Sequence, residues 1–271
     1  MTRPAPAPGP AVGLAPAVDL RPAAARAATR IDWLDSKHSF AFGSHRDPRN
    51  THFGLLLVSN DDVVRAGSGF ETHPHRDMEI VTWVLSGELV HQDSEGHAGI
   101  IHPGLAQRMS AGTGIWHSEK ADAATFAGSG AAERDVHFVQ MWVLPDERGS
   151  RPGYEQLDVS AELDRGGLVV VASGLPQHRE ERAIRIGQRH AGLHAGRLAA
   201  GERVAVPDAP FVHVFLARGS GTLEGTGEPH PGGVALATGD AVRLTAAGGP
   251  AFTAGPEGAE LLVWEMHATL A

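Results

Sequence analysis

The stretch GSGFETHPHRDMEIVTWVLSGELVHQDSEG, residues 67–96, sets two imidazoles, His73 and His75, on either side of a proline. Alternate residues of an extended chain project from one face, so this pair would present its nitrogen donors together. Further on, MSAGTGIWHSEK supplies His117 and Glu119 at the same i, i+2 spacing, after a Gly-x-Gly turn at Gly112 and Gly114. Two such pairs on facing strands can close on one point. Three neutral imidazoles and a carboxylate suit a borderline divalent ion such as Fe, Ni, Cu, Co or Zn, with bonds of about 2.0 to 2.2 Å in the zinc case. Any one of the 16 histidines, taken alone, is more often part-buried without a ligand than bound to an ion. Two pairs, each beside a glycine-rich turn, are a stronger signal.

Neighbouring residues carry weaker signals. Glu79 is read chiefly as an acceptor for an imidazole N–H, which would fix a tautomer, and less often as a ligand. His91 reads chiefly as a strand-end residue near a turn and less often as one lining the site. Trp83, Trp116 and Trp142 sit in apolar runs, where core packing outweighs substrate stacking, and Trp116 should point away from His117. Arg108 and Met109 would at most edge the cavity.

The elements that must position these groups are strands. From Thr51 onward, short runs rich in Val, Ile, Leu, Phe and Trp alternate with Gly, Pro, Asp and Ser clusters, and helical periodicity is nearly absent. Strands are expected at 53–58, 79–85, 88–91, 107–109, 137–144, 168–172, 183–186, 212–217, 221–223, 241–244 and 260–266, an all-β pattern of sandwich or barrel type. VTWVLSGELV resembles VHVFLARGSGTLEG, and aligning Gly87 with Gly219 gives an offset of 132 residues (219 − 87), about one β-domain. That offset places Ala205 and Pro207 opposite His73 and His75, so only the first domain keeps the pair. The expected organisation is a flexible Pro/Ala-rich leader over 1–30, a metal-binding domain over 31–150, and a second domain without a metal site over 151–271. Residues 125–135 form a separate Gly/Ala-rich loop.

Composition narrows the function classes. The chain of 271 residues has a net charge of −9, so no basic field gathers phosphates and direct nucleic-acid binding is not expected. The absence of cysteine removes thiolate chemistry and leaves His, Asp and Glu as metal donors. No apolar stretch approaches the roughly 20 residues that span a bilayer, and no signal-type h-region is present, so the default expectation is a cytoplasmic monomer away from membranes. No G-x-S-x-G elbow, complete G-x-G-x-x-G or P-loop occurs.

THPHRDMEIVTWVLSGELVHQDSEG and MSAGTGIWHSE, together with DWLDSKHSFAFGSHRDP (residues 32–48) and FVQMWVLPDE (138–147), resemble the pirin family of the cupin superfamily. The resemblance implies a bicupin, two tandem jelly-roll-like β-barrels, with metal held in the N-terminal barrel and lost from the C-terminal one. It implies His73, His75, His117 and Glu119 as ligands, with Glu79 outside the set. Fe(II) leads as the cofactor, with Ni, Cu, Co, Mn and Zn as alternatives. Some pirins are quercetin 2,3-dioxygenases, which would make the partners a small aromatic flavonol and dioxygen, carbon monoxide a product, and Glu119 the general base as well as a ligand. Others are non-enzymatic iron-binding partners of transcriptional regulators or metabolic enzymes, and the acidic surface suits a protein partner better than DNA.

Overall fold

The computed structural model describes residues 13–129, 132–226 and 230–270. Twenty strands dominate it. The first six are β1 (Ala17–Arg21), β2 (Ala27–Ile31), β3 (Leu34–His38), β4 (Leu56–Val64), β5 (Gly69–His75) and β6 (Glu79–Ser86). Then come β7 (Leu89–Asp93), β8 (Ala98–Ile101), β9 (Leu105–Ser110), β10 (Ile115–Lys120), β11 (Val136–Val143) and β12 (Gly153–Asp158). The second half adds β13 (Val169–Ser173), β14 (Ile184–Arg185), β15 (Ala191–Leu198), β16 (Arg203–Ala205), β17 (Phe211–Glu224), β18 (Val234–Ala237), β19 (Ala241–Thr245) and β20 (Ala251–Met266). Helix is confined to short turns, and no described helix is long and apolar enough to cross a membrane. The all-β expectation holds.

The first half builds a seven-stranded sheet in the order β12-β9-β6-β11-β4-β3-β2 and a four-stranded sheet in the order β5-β10-β7-β8. The second half is one nine-stranded sheet along β1-β19-β17-β20-β15-β13-β14, with β16 on β20 and β18 on β17. The long strands β17 and β20 pair throughout, with register shifts between Leu216 and Arg218 and between Gly219 and Gly221. Bulges of this kind bend a strand, which lets one continuous sheet curl round its own core.

The sheets do not divide the chain at residue 150. β12 joins the first half's sheet against β9, while β1 leaves the first half and pairs with β19. The leader expected over 1–30 therefore differs from what is seen: residues 1–12 lie outside the described residues, but from Ala17 the segment forms β1 and β2. The alternation in AVDLR lets Val18 and Leu20 pack on the second apolar core, which no glycine- or proline-counting rule detects. Of the expected loop at 125–135, Phe126 closes a one-turn helix begun at Ala123, and residues 130 and 131 lie outside the described residues.

The largest apolar cluster takes residues from both halves, from Phe40, Val81, Trp83 and Met141 to Leu193, Phe215 and Trp264. Two polar links cross the same seam: the Trp83 indole donates to Glu260 Oε1 at 2.9 Å, and the Trp264 indole to Met141 Sδ at 3.2 Å. Trp83 is thus the core residue its apolar run implied.

Candidate metal centre

The four-stranded sheet of the first half brings the chemistry-bearing residues into one patch. β5 and β10 are antiparallel with His117 opposite His73, and β7 flanks β10 on its other side with His91 opposite Glu119. The register shifts between His117 and Glu119, so Glu119 faces Phe70 across the pair. Gly112 (φ +48°) makes the turn into β10, and a Cβ there would run into the Ser150 carbonyl, so only glycine fits. On β10, Ile115, His117 and Glu119 point inward and are buried. Trp116 points the other way, as expected, but is 53% exposed rather than part of a core, because the outer face of this sheet is turned to solvent there.

The imidazoles of His73, His75 and His117 converge, with ring centroids 4.9 Å apart for His73–His75, 4.5 Å for His73–His117 and 4.9 Å for His75–His117. Candidate ligand atoms of these three lie within 4.8 Å of one another. His73 Nδ1 donates to the Glu71 carbonyl at 2.7 Å, which leaves its Nε2 with a free lone pair. His75 Nε2 and His117 Nε2 are buried without a hydrogen-bond partner. Buried polar atoms are seldom left so. Burial and the neighbouring imidazoles push both rings down to about 3. They are neutral, as ligation requires.

Glu119 completes a second, overlapping group with His117 and His91, again within 4.8 Å. His117 is common to both groups, while Glu119 is grouped with His91 and not with His73 or His75. Glu119 is buried, and both its oxygens accept from Gln140 Nε2, at 2.9 and 2.8 Å. Burial raises its affinity for a proton, an effect that His91 and the Gln140 hydrogen bond oppose. The Trp142 indole donates to Gln140 Oε1 at 3.0 Å, and its ring stands edge-on to His75 at 4.9 Å. Trp142 therefore packs both on the apolar cluster of Ile80, Met109, Ala111 and Ile115, as its run implied, and on the site itself.

Several residues differ from their sequence reading. His91 is no strand-end bystander: it is fully buried, its Nδ1 is 3.4 Å from His117 Nδ1, and its Nε2 is 3.3 Å from Asp93 Oδ2. Tyr154 of β12 stacks on it at 4.7 Å. Glu79 accepts from the Ser110 hydroxyl at 2.8 Å rather than from an imidazole. Met109 is core, and Arg108 pairs with Glu155 at 3.0 Å. Gln140 was missed, although a lone amide in the apolar run FVQMWV was a usable signal.

In the second half, His178, His194 and Glu265 also gather within 4.8 Å, where no metal-type cluster was expected. Here the donors are spent on one another. His194 Nε2 is 3.0 Å from Glu265 Oε2, His267 Nε2 is 2.7 Å from Oε1, and the Ser173 hydroxyl is 3.0 Å from His178 Nδ1.

The Pirin family model matches residues 21–143 of the chain. A Mycobacterium bovis protein named "Putative quercetin 2,3-dioxygenase" is 54% identical over 253 residues, 93% of this chain and 96% of that protein. An Escherichia coli quercetin 2,3-dioxygenase is 48% identical over 137 residues, 51% of this chain and 56% of its own. The crystal structure of the bacterial pirin YhhW from E. coli, in complex with nickel(II), superposes with a TM-score of 0.78 at 32% identity, covering 93% of this chain and 100% of that one.

Proposed function

This chain belongs to the pirin family, and from that premise we propose that it is a metal-dependent dioxygenase that opens the central ring of a flavonol such as quercetin. The observation that carries the reading is the meeting of the unpartnered nitrogens of His75 and His117 with His73, beside a buried carboxylate. Such a donor set fits a first-row divalent ion, with Fe(II) as our choice and nickel supported by the related pirin. His73, His75, His117 and Glu119 would hold it. The ion, when bound, would supply Lewis-acid activation and a meeting point for the flavonol hydroxyl and dioxygen.

The chain's own groups do the rest. Glu119, its proton affinity raised by burial, would take the proton of the flavonol hydroxyl. Gln140, itself aligned by Trp142, holds that carboxylate through both oxygens and so fixes where the proton goes. The Glu71 carbonyl keeps the His73 tautomer. A groove of about 530 Å³ lined by Trp33, Phe70 and His73 offers aromatic walls for a flat substrate beside His73.

The test is oxygen uptake and carbon monoxide release by the metal-loaded protein given quercetin. Both should occur in one-to-one ratio, and His73→Ala should abolish both while its circular dichroism and unfolding midpoint stay near the parent's. Equal turnover in the variant would overturn the assignment, and no turnover by the loaded parent would move the chain to the non-enzymatic members of its family.

A further inference from the structure

A second cavity, of about 450 Å³, lies where the two halves meet, and none of His73, His75, His117 or Glu119 lines it. Its walls come from the leader segment, the β3–β4 connection and the strands β17 and β19. At its floor, Arg243 of β19 stands cross-strand from His213 of β17. Both are buried, at 5% and 1% exposure.

Arg243 is an anomaly. Its Nη2 donates to the Ser39 carbonyl at 2.9 Å and to Asn50 Oδ1 at 2.7 Å, and its plane lies 4.5 Å over the Phe40 ring. All these partners are neutral. Among the described residues no carboxylate forms an ion pair with it, and its Nε has no hydrogen-bond partner. A buried charge without a counter-charge is costly, and proteins ordinarily pair it. Burial first, then Arg21, drives its pKa down to about 10; Asp19, opposite it on β1, acts the other way but is itself paired with Arg21 at 2.7 Å.

The other unspent groups around the cavity are of the same kind. Arg26 donates Nη2 to Asp61 at 2.6 Å, so its charge is matched, but its Nε and Nη1 are buried and unpartnered. His213 Nε2 and the Ser39 hydroxyl are likewise without partners. The guanidinium nitrogens are obligate donors, the imidazole nitrogen and the hydroxyl can donate, and Arg243 leaves one positive charge unmatched. Phe40 and Ala241 supply apolar wall. Ser44 and Arg46, both exposed, mark the opening to solvent.

We propose that this cavity is a binding site for a small organic monocarboxylate, its carboxylate seated on Arg243 and its apolar body against Phe40 and Ala241. Of the lining charges, Asp47 is paired with Arg49 and Arg46 is exposed to solvent. Arg243 is thus the one buried guanidinium left unmatched, and it balances a single negative charge, which favours a carboxylate over a phosphate dianion. With Nη2 spent on Ser39 and Asn50, Nη1 is the donor left to meet a carboxylate oxygen.

4-Bromobenzoate serves as the probe. Calorimetric titration of the full-length protein should show one site, and crystals soaked with the probe should give an anomalous bromine peak in this cavity with the carboxylate about 3 Å from Arg243. Stripping metal with EDTA should leave the titration unchanged, and 4-bromobenzamide should not bind. Arg243→Lys, which keeps the charge but loses the Nη1 donor, should weaken binding at least tenfold with an unchanged unfolding midpoint. A soaked crystal of the parent protein with no bromine in the cavity would overturn the proposal, whatever the variant does. Loss of binding on EDTA treatment would also overturn it, by placing the probe at the metal centre. Inorganic phosphate displacing the probe at lower concentration than benzoate would overturn the carboxylate assignment.

Discussion

At the scale of single residues, Gln140 is the side chain on which the site's geometry turns, since it binds both oxygens of Glu119 and is itself oriented by Trp142. Gln140→Leu keeps the volume but takes the Gln140 donor from a buried carboxylate, leaving it the Thr82 hydroxyl. Hydrogen bonds to a charged group are worth about 1.5–3 kcal/mol, so urea unfolding should show a loss near that size. Quercetin turnover should fall at least tenfold while metal content per chain stays near that of the parent. Unchanged turnover would remove Gln140 from the site. The carboxylate of the second half gives a prediction in pH. Burial alone would raise Glu265, but the hydrogen bonds with His194 and His267 prevail and leave it at about 2. A carboxylate held below its ordinary value contributes stability that is fully present above its unfolded pKa and is lost as pH falls through the folded one. Glu265→Gln should therefore cost about 2 kcal/mol at pH 7, and the penalty should shrink steadily between pH 5 and pH 3 as the parent loses that contribution. The same penalty at every pH would contradict the sign.

At the scale of elements, strand direction does most of the positioning. His73 and His75 share a face because they alternate on β5, and His117 joins them because the register sets it opposite His73. The turns that hold this register depend on glycine at particular places. Gly87 (φ +74°) links β6 to β7, and a Cβ there would strike the Asp135 carbonyl. Gly219 (φ +84°) stands in the same relation to the Gly258 carbonyl, so the repeat seen as an offset of 132 residues preserves a close backbone approach. Gly67 also has positive φ (+69°), yet nothing lies within 4 Å of its missing Cβ. Gly67→Ala should cost only the backbone term, about 1–2 kcal/mol. Gly87→Ala adds a backbone collision and should cost more than about 3 kcal/mol. Equal losses in chemical denaturation would show that the Asp135 contact yields without strain.

At the scale of the whole molecule, the halves are interlocked. β1 belongs to the second sheet and β12 to the first, and the largest core lies between them, with Trp83 and Trp264 reaching across. Neither half keeps its sheet or its core alone. Calorimetry should therefore show one cooperative transition, and two resolved transitions would refute the interlock. Trp264→Ala, by opening a cavity at the seam, should lower stability by about 3–5 kcal/mol. It should shift fluorescence and far-ultraviolet transitions together, since the loss falls on both halves at once.

Period and spacing are properties of the sequence by itself, and they determined the donor pairs and the more apolar strands, whereas β5, β10, β12 and β15 lie outside the expected runs. Apolar runs between turn residues meant strands, and two i, i+2 pairs meant donors sharing a face. His73, His75, His117 and Glu119 were legible because strand geometry is local. Gln140 and Tyr154 were not, and His91 only as the lesser reading, because their roles come from β7 pairing with β10, from β11 facing β10 across the two sheets and from β12 joining β9. Nor did a scatter of arginines along an acidic chain reveal that Arg243 would be buried without an ion-pair partner of its own, lining one cavity with Arg26 and His213. Burial and proximity belong to pairs of residues far apart in the chain, and only the tertiary fold decides which pairs meet.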